Sequence, residues 1–103
     1  MNQLPQQGLY VDDPRREVRP FIPVDSKRVL DVGCGRGGFG WTLRDVLGSE
    51  ALILAIDPVE DNVASAASDH GYDDVLLGYF PEALVDHDAA YDLITFIDVL
   101  EHM

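Results

Sequence analysis

Val29-Leu-Asp-Val-Gly-Cys-Gly-Arg-Gly-Gly38 is the stretch on which the fold turns. Arg28 to Val32 is a short β-rich run, and Gly33, Gly35, Gly37 and Gly38 follow it at once. So tight a turn from strand into helix needs residues that tolerate positive φ and carry no Cβ to block a ligand. The helix N-terminus behind it presents unpaired N–H groups, so the loop suits a nucleotide-like ligand held against backbone. Gly38 to Leu47 supplies that helix, with Phe39, Leu43, Val46 and Leu47 at helical spacing and Gly48 as its stop.

Outward from this unit, strands and helices alternate. Ala51-Leu-Ile-Leu-Ala-Ile56 is an unbroken apolar run, as expected for a strand covered on both faces, and Asp57-Pro58 ends it. A helix is predicted from Val59 to about Ser68, with Val59, Val63, Ala66 and Ala67 on one face, broken by His70-Gly71. Asp74 to Gly78 reads as a third strand, Pro81 to Val85 as one helical turn, and Tyr91 to Asp98 as a fourth strand apolar on both faces. Upstream, Pro14 to Pro23 reads as a short helix that starts at Pro14 and is stopped by Pro20 and Pro23. Short connections between alternating elements imply a parallel sheet with right-handed crossovers. Residues 1–24 form a leader with a short helix, and residues 25–103 carry the sheet.

Charge narrows the partners. Residues 1–50 hold all seven Lys and Arg and seven acids, whereas residues 51–103 hold twelve acids and no Lys or Arg. A surface that tracks phosphates needs a basic stripe, so nucleic acid is not expected as a partner. No apolar run is long enough to span a bilayer, and Met1-Asn-Gln-Leu-Pro-Gln-Gln has no secretory pattern, so no membrane partner and a cytoplasmic location are expected. The single cysteine, Cys34, excludes an internal disulfide and a Cys-rich zinc site, and no metal ligand set is expected.

The glycine spacing alone leaves two cofactors open. Gly33-Cys-Gly-Arg-Gly37 fits G-x-G-x-G, while the stretch to Gly38 also fits the dinucleotide pattern G-x-G-x-x-G. Asp31 discriminates: a carboxylate this close repels a pyrophosphate and attracts a ligand carrying an ammonium and a sulfonium. With that acid included, Val29 to Gly37 resembles motif I of the class I (Rossmann-like) S-adenosylmethionine-dependent methyltransferases. The resemblance implies a three-layer α/β sheet in the order 3-2-1-4 and S-adenosyl-L-methionine as cofactor. It places Asp31, Gly33, Cys34, Gly35 and Gly37 at the cofactor, with Cys34 needed only as a small residue.

The same resemblance carries further residues. Asp57, twenty positions after Gly37, stands where the family's acid after strand two accepts the ribose hydroxyls; a helix-capping Asp is the alternative. Pro58 and Val59 then line the adenine side. After strand three the family usually has an acid or Asn for adenine, but this chain has Tyr79 and Phe80, which implies either stacking on adenine or ordinary core packing. Asp98-Val-Leu-Glu-His102 is similar to the family's motif IV, placing Asp98 and Val99 beside the methionine end and His102 as a candidate base. Tyr10 belongs to a leader segment in which an aromatic residue folds over the cofactor, with packing on the sheet as the alternative.

The resemblance covers the first half of the family's fold, whose domain continues through three further strands. Strand four is therefore expected as an exposed edge, and self-association through it is expected. The activity implied is methyl transfer to a small-molecule or glycan-type acceptor. A non-catalytic, truncated cofactor-binding module is the alternative from another class, and an NAD-dependent oxidoreductase is the weaker one.

Overall fold

The structure, a computed structural model, describes residues 13–68, 70–82 and 90–97. Its centre is a four-stranded, wholly parallel sheet of β1 (Arg28–Val32), β2 (Leu52–Asp57), β3 (Asp74–Leu77) and β4 (Leu93–Thr95). The strand order is β3-β2-β1-β4, as the sequence predicts. β1 lies between β2 and β4, with Asp31 opposite Ala55 on one side and Thr95 on the other. Alternation along each strand therefore sends Val29, Asp31, Ile53, Ala55, Leu93 and Thr95 to one face, and Leu30, Val32, Leu54 and Ile56 to the other.

The first face carries α1 (Gly38–Leu47), whose Phe39 and Leu43 are fully buried against Val29 and Ile53, with Val46 and Leu47 beside them. Burying one such side chain contributes about 1.5–3 kcal/mol. Gly48 ends α1 at φ 86°, its N–H donating to the Arg44 carbonyl at 2.8 Å. On the opposite face Leu30, Val32, Leu54 and Ile56 form a second apolar cluster, so β1 and β2 are buried on both sides, as the unbroken apolar run of β2 requires.

Two glycines, Gly40 in α1 and Gly37 just before it, are explained by packing. A Cβ on Gly40 would lie 2.3 Å from the His70 carbonyl oxygen and 2.8 Å from the Tyr72 ring, and one on Gly37 2.7 Å from the Ala66 Cα. The chain after α2 (Glu60–Ala66) therefore rests directly on α1 backbone, and His70 stacks on Trp41 with ring centroids 4.5 Å apart. Arg44 fastens the same connection, donating to the carbonyls of Gly48, Ala51 and Gly71 and to the Asp73 carboxylate.

Four local expectations are corrected. The leader helix is a 3₁₀ helix, Arg16–Phe21, with Pro20 inside it instead of ending it; the chain is bonded at three-residue spacing, Val18 to Arg15 and Ile22 to Arg19. α2 is shorter than expected, and Val59 and Ala67 are exposed, leaving Val63 and Ala66 on its inner face. The cause is local: Asp57 accepts the Val59 N–H at 2.9 Å, which holds Val59 extended as the residue before the helix. β4 is three residues long, not eight, and Ile94 and Phe96 are 42% and 37% exposed: β4 is the edge of the described sheet, and the Phe80 ring, edge-on to Phe96, covers that face only in part. β3 ends at Leu77, and the turn expected from Pro81 to Val85 extends into residues outside those described.

Candidate functional site

The glycine loop leaves β1 at the carboxyl end of the sheet, where open parallel sheets bind their ligands at the point of strand-order reversal. β1 and β4 are neighbours there, so β1 is that point. A cleft of about 150 Å³ between Val24–Lys27, Leu47 and Glu50–Ala51 lies at the opposite, amino-terminal end, away from any convergence of loops.

Gly33, Gly35 and Gly37 have φ of 70°, 59° and 104°, the region that favours glycine. The loop is moored to β2. Gly33 and Cys34 both donate N–H to the Ile56 carbonyl, at 2.8 and 3.2 Å, and Gly35 donates to Asp57 Oδ2 at 2.9 Å. Cys34 is 1% exposed in a small cluster with Ala55 and Ala66, so its side chain packs beneath the loop and only its backbone belongs to the loop surface. Gly37 serves a different end from that of the other two, since it allows α1 to approach α2.

Among the described residues two buried carboxylates stand at this edge. Asp57 closes β2, and besides Gly35 it accepts the Val59 N–H at 2.9 Å and the Asn62 side-chain amide at 3.2 Å on Oδ1. One carboxylate thus ties the Val59 N–H, just ahead of α2, to the Gly35 N–H of the glycine loop, a contact the sequence did not foresee. Asp31, 1% exposed, accepts the Tyr72 hydroxyl on Oδ2 at 2.5 Å and the Thr95 hydroxyl on Oδ1 at 2.8 Å. Its side chain points toward the α1 face under the loop.

The rim beyond β3 is open. Gly78 donates its N–H to the Asp57 carbonyl, prolonging the β2–β3 ladder, and Tyr79 is then 70% exposed. Phe80, itself exposed, meets Phe96 edge-to-face at 5.5 Å. Pro58 is exposed at the end of β2. The structure therefore brings together Asp31, Gly33, Cys34, Gly35, Gly37, Asp57, Pro58, Tyr79 and Phe80 along one edge. Tyr10, Asp98, Val99 and His102 lie outside the described residues. Among the described residues no group of three or more His, Cys, Asp or Glu is placed to hold a metal ion.

Sequence reasoning missed Tyr72, Thr95, Asn62 and Phe96. Asn62 was within reach of it, standing five residues after Asp57 in the first turn of the predicted helix. Tyr72 had no such signal, because its partner is forty-one positions away.

The chain as a whole, residues 7–103, matches a family model described as a methyltransferase domain. It is 31% identical over 93 residues to a mitochondrial ubiquinone biosynthesis O-methyltransferase of Bos taurus, covering 82% of this chain and 24% of that protein. It is 29% identical over 91 residues to a ubiquinone biosynthesis O-methyltransferase of Bartonella quintana (strain Toulouse), covering 85% of this chain and 36% of the relative. A tRNA U34 carboxymethyltransferase of Pseudomonas putida (strain W619) is 38% identical over 58 residues, covering 50% of this chain and 17% of its own length. The chain thus spans well under half the length of these relatives.

Proposed function

The chain belongs to the class I (Rossmann-like) S-adenosylmethionine-dependent methyltransferases, and from that premise we propose that it is the cofactor-binding part of an enzyme that methylates a small molecule or glycan-type acceptor. The observation that carries this reading is Asp57. Its buried carboxylate ends β2 and bonds to the Gly35 N–H, so the ribose-binding acid and the glycine loop form one unit. Charge-assisted hydrogen bonds from two ribose hydroxyls to such a carboxylate are worth about 1.5–3 kcal/mol each.

In this reading the loop of Gly33, Cys34 and Gly35 holds the cofactor against backbone, and Asp31 beneath it favours the cationic amino-acid end. Pro58, Tyr79 and Phe80 border adenine, the aromatic pair stacking on the base where the family has an acid. Asp98 and Val99 complete the methionine side, Tyr10 covers the cofactor, and His102 takes the proton of the acceptor. When bound, S-adenosyl-L-methionine supplies an electrophilic methyl on a sulfonium; the chain's own task is to align that group with the acceptor. The relatives named for O-methylation make an oxygen acceptor the first to try. We place the protein in the cytoplasm, although one relative is named as mitochondrial; among the described residues no helix is long and apolar enough to cross a membrane.

The test is a titration of the chain with S-adenosylhomocysteine, S-adenosylmethionine and NAD, followed by the amide resonances of Gly33, Gly35 and Gly37. Selective shifts with the two adenosyl amino acids are expected. Selective binding of NAD overturns the reading, and tight adenosylhomocysteine binding with no turnover on any hydroxyl acceptor favours a non-catalytic binding module.

A further inference from the structure

Asp31 raises a question that the loop does not answer. A buried carboxylate is expensive, and apolar residues of similar volume would pack between β2 and β4 with less desolvation. The protein nonetheless surrounds this one with dedicated donors. Thr95 stands directly opposite Asp31 in the β1–β4 ladder and donates from its hydroxyl at 2.8 Å. Tyr72 arrives from the other side of the molecule, at the entrance to β3, and donates at 2.5 Å. Seating Tyr72 there demands two concessions elsewhere. Gly71 takes φ 89°, and Gly40 sits in the first turn of α1, where any Cβ would press to 2.8 Å from the Tyr72 ring.

We propose that Tyr72 and Thr95 are positioning residues that fix the Asp31 carboxylate for recognition of the cationic amino-acid end of the ligand on the glycine loop. The proposal rests on the cofactor reading above. Hydroxyls are neutral donors: they set the orientation of a carboxylate without cancelling its charge, which an Arg or Lys in the same place would do. With one oxygen held from β4 and the other from the β3 side, the carboxylate is pinned from both flanks of β1. The carboxylate lies two residues before Gly33, in low-dielectric surroundings where a fixed charge acts more strongly than in water. Tyr72 thereby links the far side of the α1 packing to the ligand loop.

The experiment compares two ligands that share the nucleoside and differ in the amino-acid end, S-adenosylhomocysteine and 5′-methylthioadenosine, by calorimetric titration of the full chain. Tyr72→Phe and Thr95→Val are each expected to weaken adenosylhomocysteine about tenfold while leaving methylthioadenosine within about twofold, and Thr95→Ser to restore the first. Equal loss for both ligands means that the hydroxyls serve only the fold, and no loss for either means that they are idle; both results overturn the proposal. If Tyr72→Phe fails to fold, Thr95→Val and Thr95→Ser carry the same comparison. Wild-type chain that binds neither ligand overturns the cofactor reading itself, and this proposal with it.

Discussion

The two halves of the carboxyl edge are built in opposite ways. At β1 and β2 the side chains are buried and every loop turn is tied down: Asp31 by two hydroxyls, Gly35 by Asp57, and Gly33 and Cys34 by one carbonyl. At the exits of β3 and β4, Tyr79, Phe80, Ile94 and Phe96 are exposed, and a single aromatic contact joins the two sides. The first half resembles a preorganised binding surface, whose geometry a ligand meets already set. The second offers apolar area with little to hold it, so a ligand there gains from covering surface and not from directed bonds.

That contrast is broken most severely at Gly40. Gly40→Ala is expected to destabilise the chain by about 3 kcal/mol or more in urea unfolding, since both backbone and ring obstruct the new methyl. Gly48→Ala, where φ is positive but nothing lies within 4 Å, is expected to lose only about 1–2 kcal/mol. A loss at Gly40 no larger than that at Gly48 would show that the close approach of His70 and Tyr72 is not what makes α1 glycine-dependent.

Asp57→Ala comes next. It strips the acceptor from Gly35, Val59 and Asn62, with an expected loss of about 2–3 kcal/mol and a further drop in cofactor affinity of roughly tenfold to a hundredfold, read by thermal unfolding and titration. Phe80→Ala probes the open half. Stability should fall by no more than about 1 kcal/mol, while affinity for an adenine ligand falls roughly tenfold if the ring stacks on the base. A large stability loss with unchanged affinity would make the Phe80–Phe96 pair core and not rim.

The smallest expected effect concerns the far end of β4. Asp92 accepts the N–H groups of Lys27 and Arg28 at 2.9 and 3.0 Å, and these bonds hold its pKa below the usual carboxylate value. A depressed folded pKa contributes stability that is present above the unfolded pKa and is lost as pH falls through the folded one. The wild type should therefore lose part of its stability below about pH 4, and Asp92→Asn should flatten that decline. An unchanged acid limb in the variant would show that β4 is not fastened to β1 through this carboxylate.

Much of this was legible before any coordinate. The β-rich run at Arg28–Val32 announces a strand, the apolar run at Ala51–Ile56 one buried on both faces, and the glycines between Val32 and Phe39 the turn, because these signals are local in the chain. Asp57 was legible for the same reason, its place at the end of a strand being readable from the residues beside it. The 3₁₀ leader was not: proline statistics describe α-helices, and Pro20 is tolerated where bonds run at three-residue spacing. Nor were the exposed faces of Ile94 and Val59, since burial depends on what the rest of the fold brings over them.

Sequence by itself therefore determined the order of elements, the parallel sheet and the glycine loop with an acid on either side, all of which follow from the patterning of near neighbours. Only tertiary structure decided what Asp31 touches and why Gly37 precedes α1 and Gly40 lies within it. Those answers hang on His70, Tyr72 and Thr95, residues from separate segments whose meeting with Asp31 and α1 no local pattern encodes, and on contacts short enough that one added methyl would prevent them.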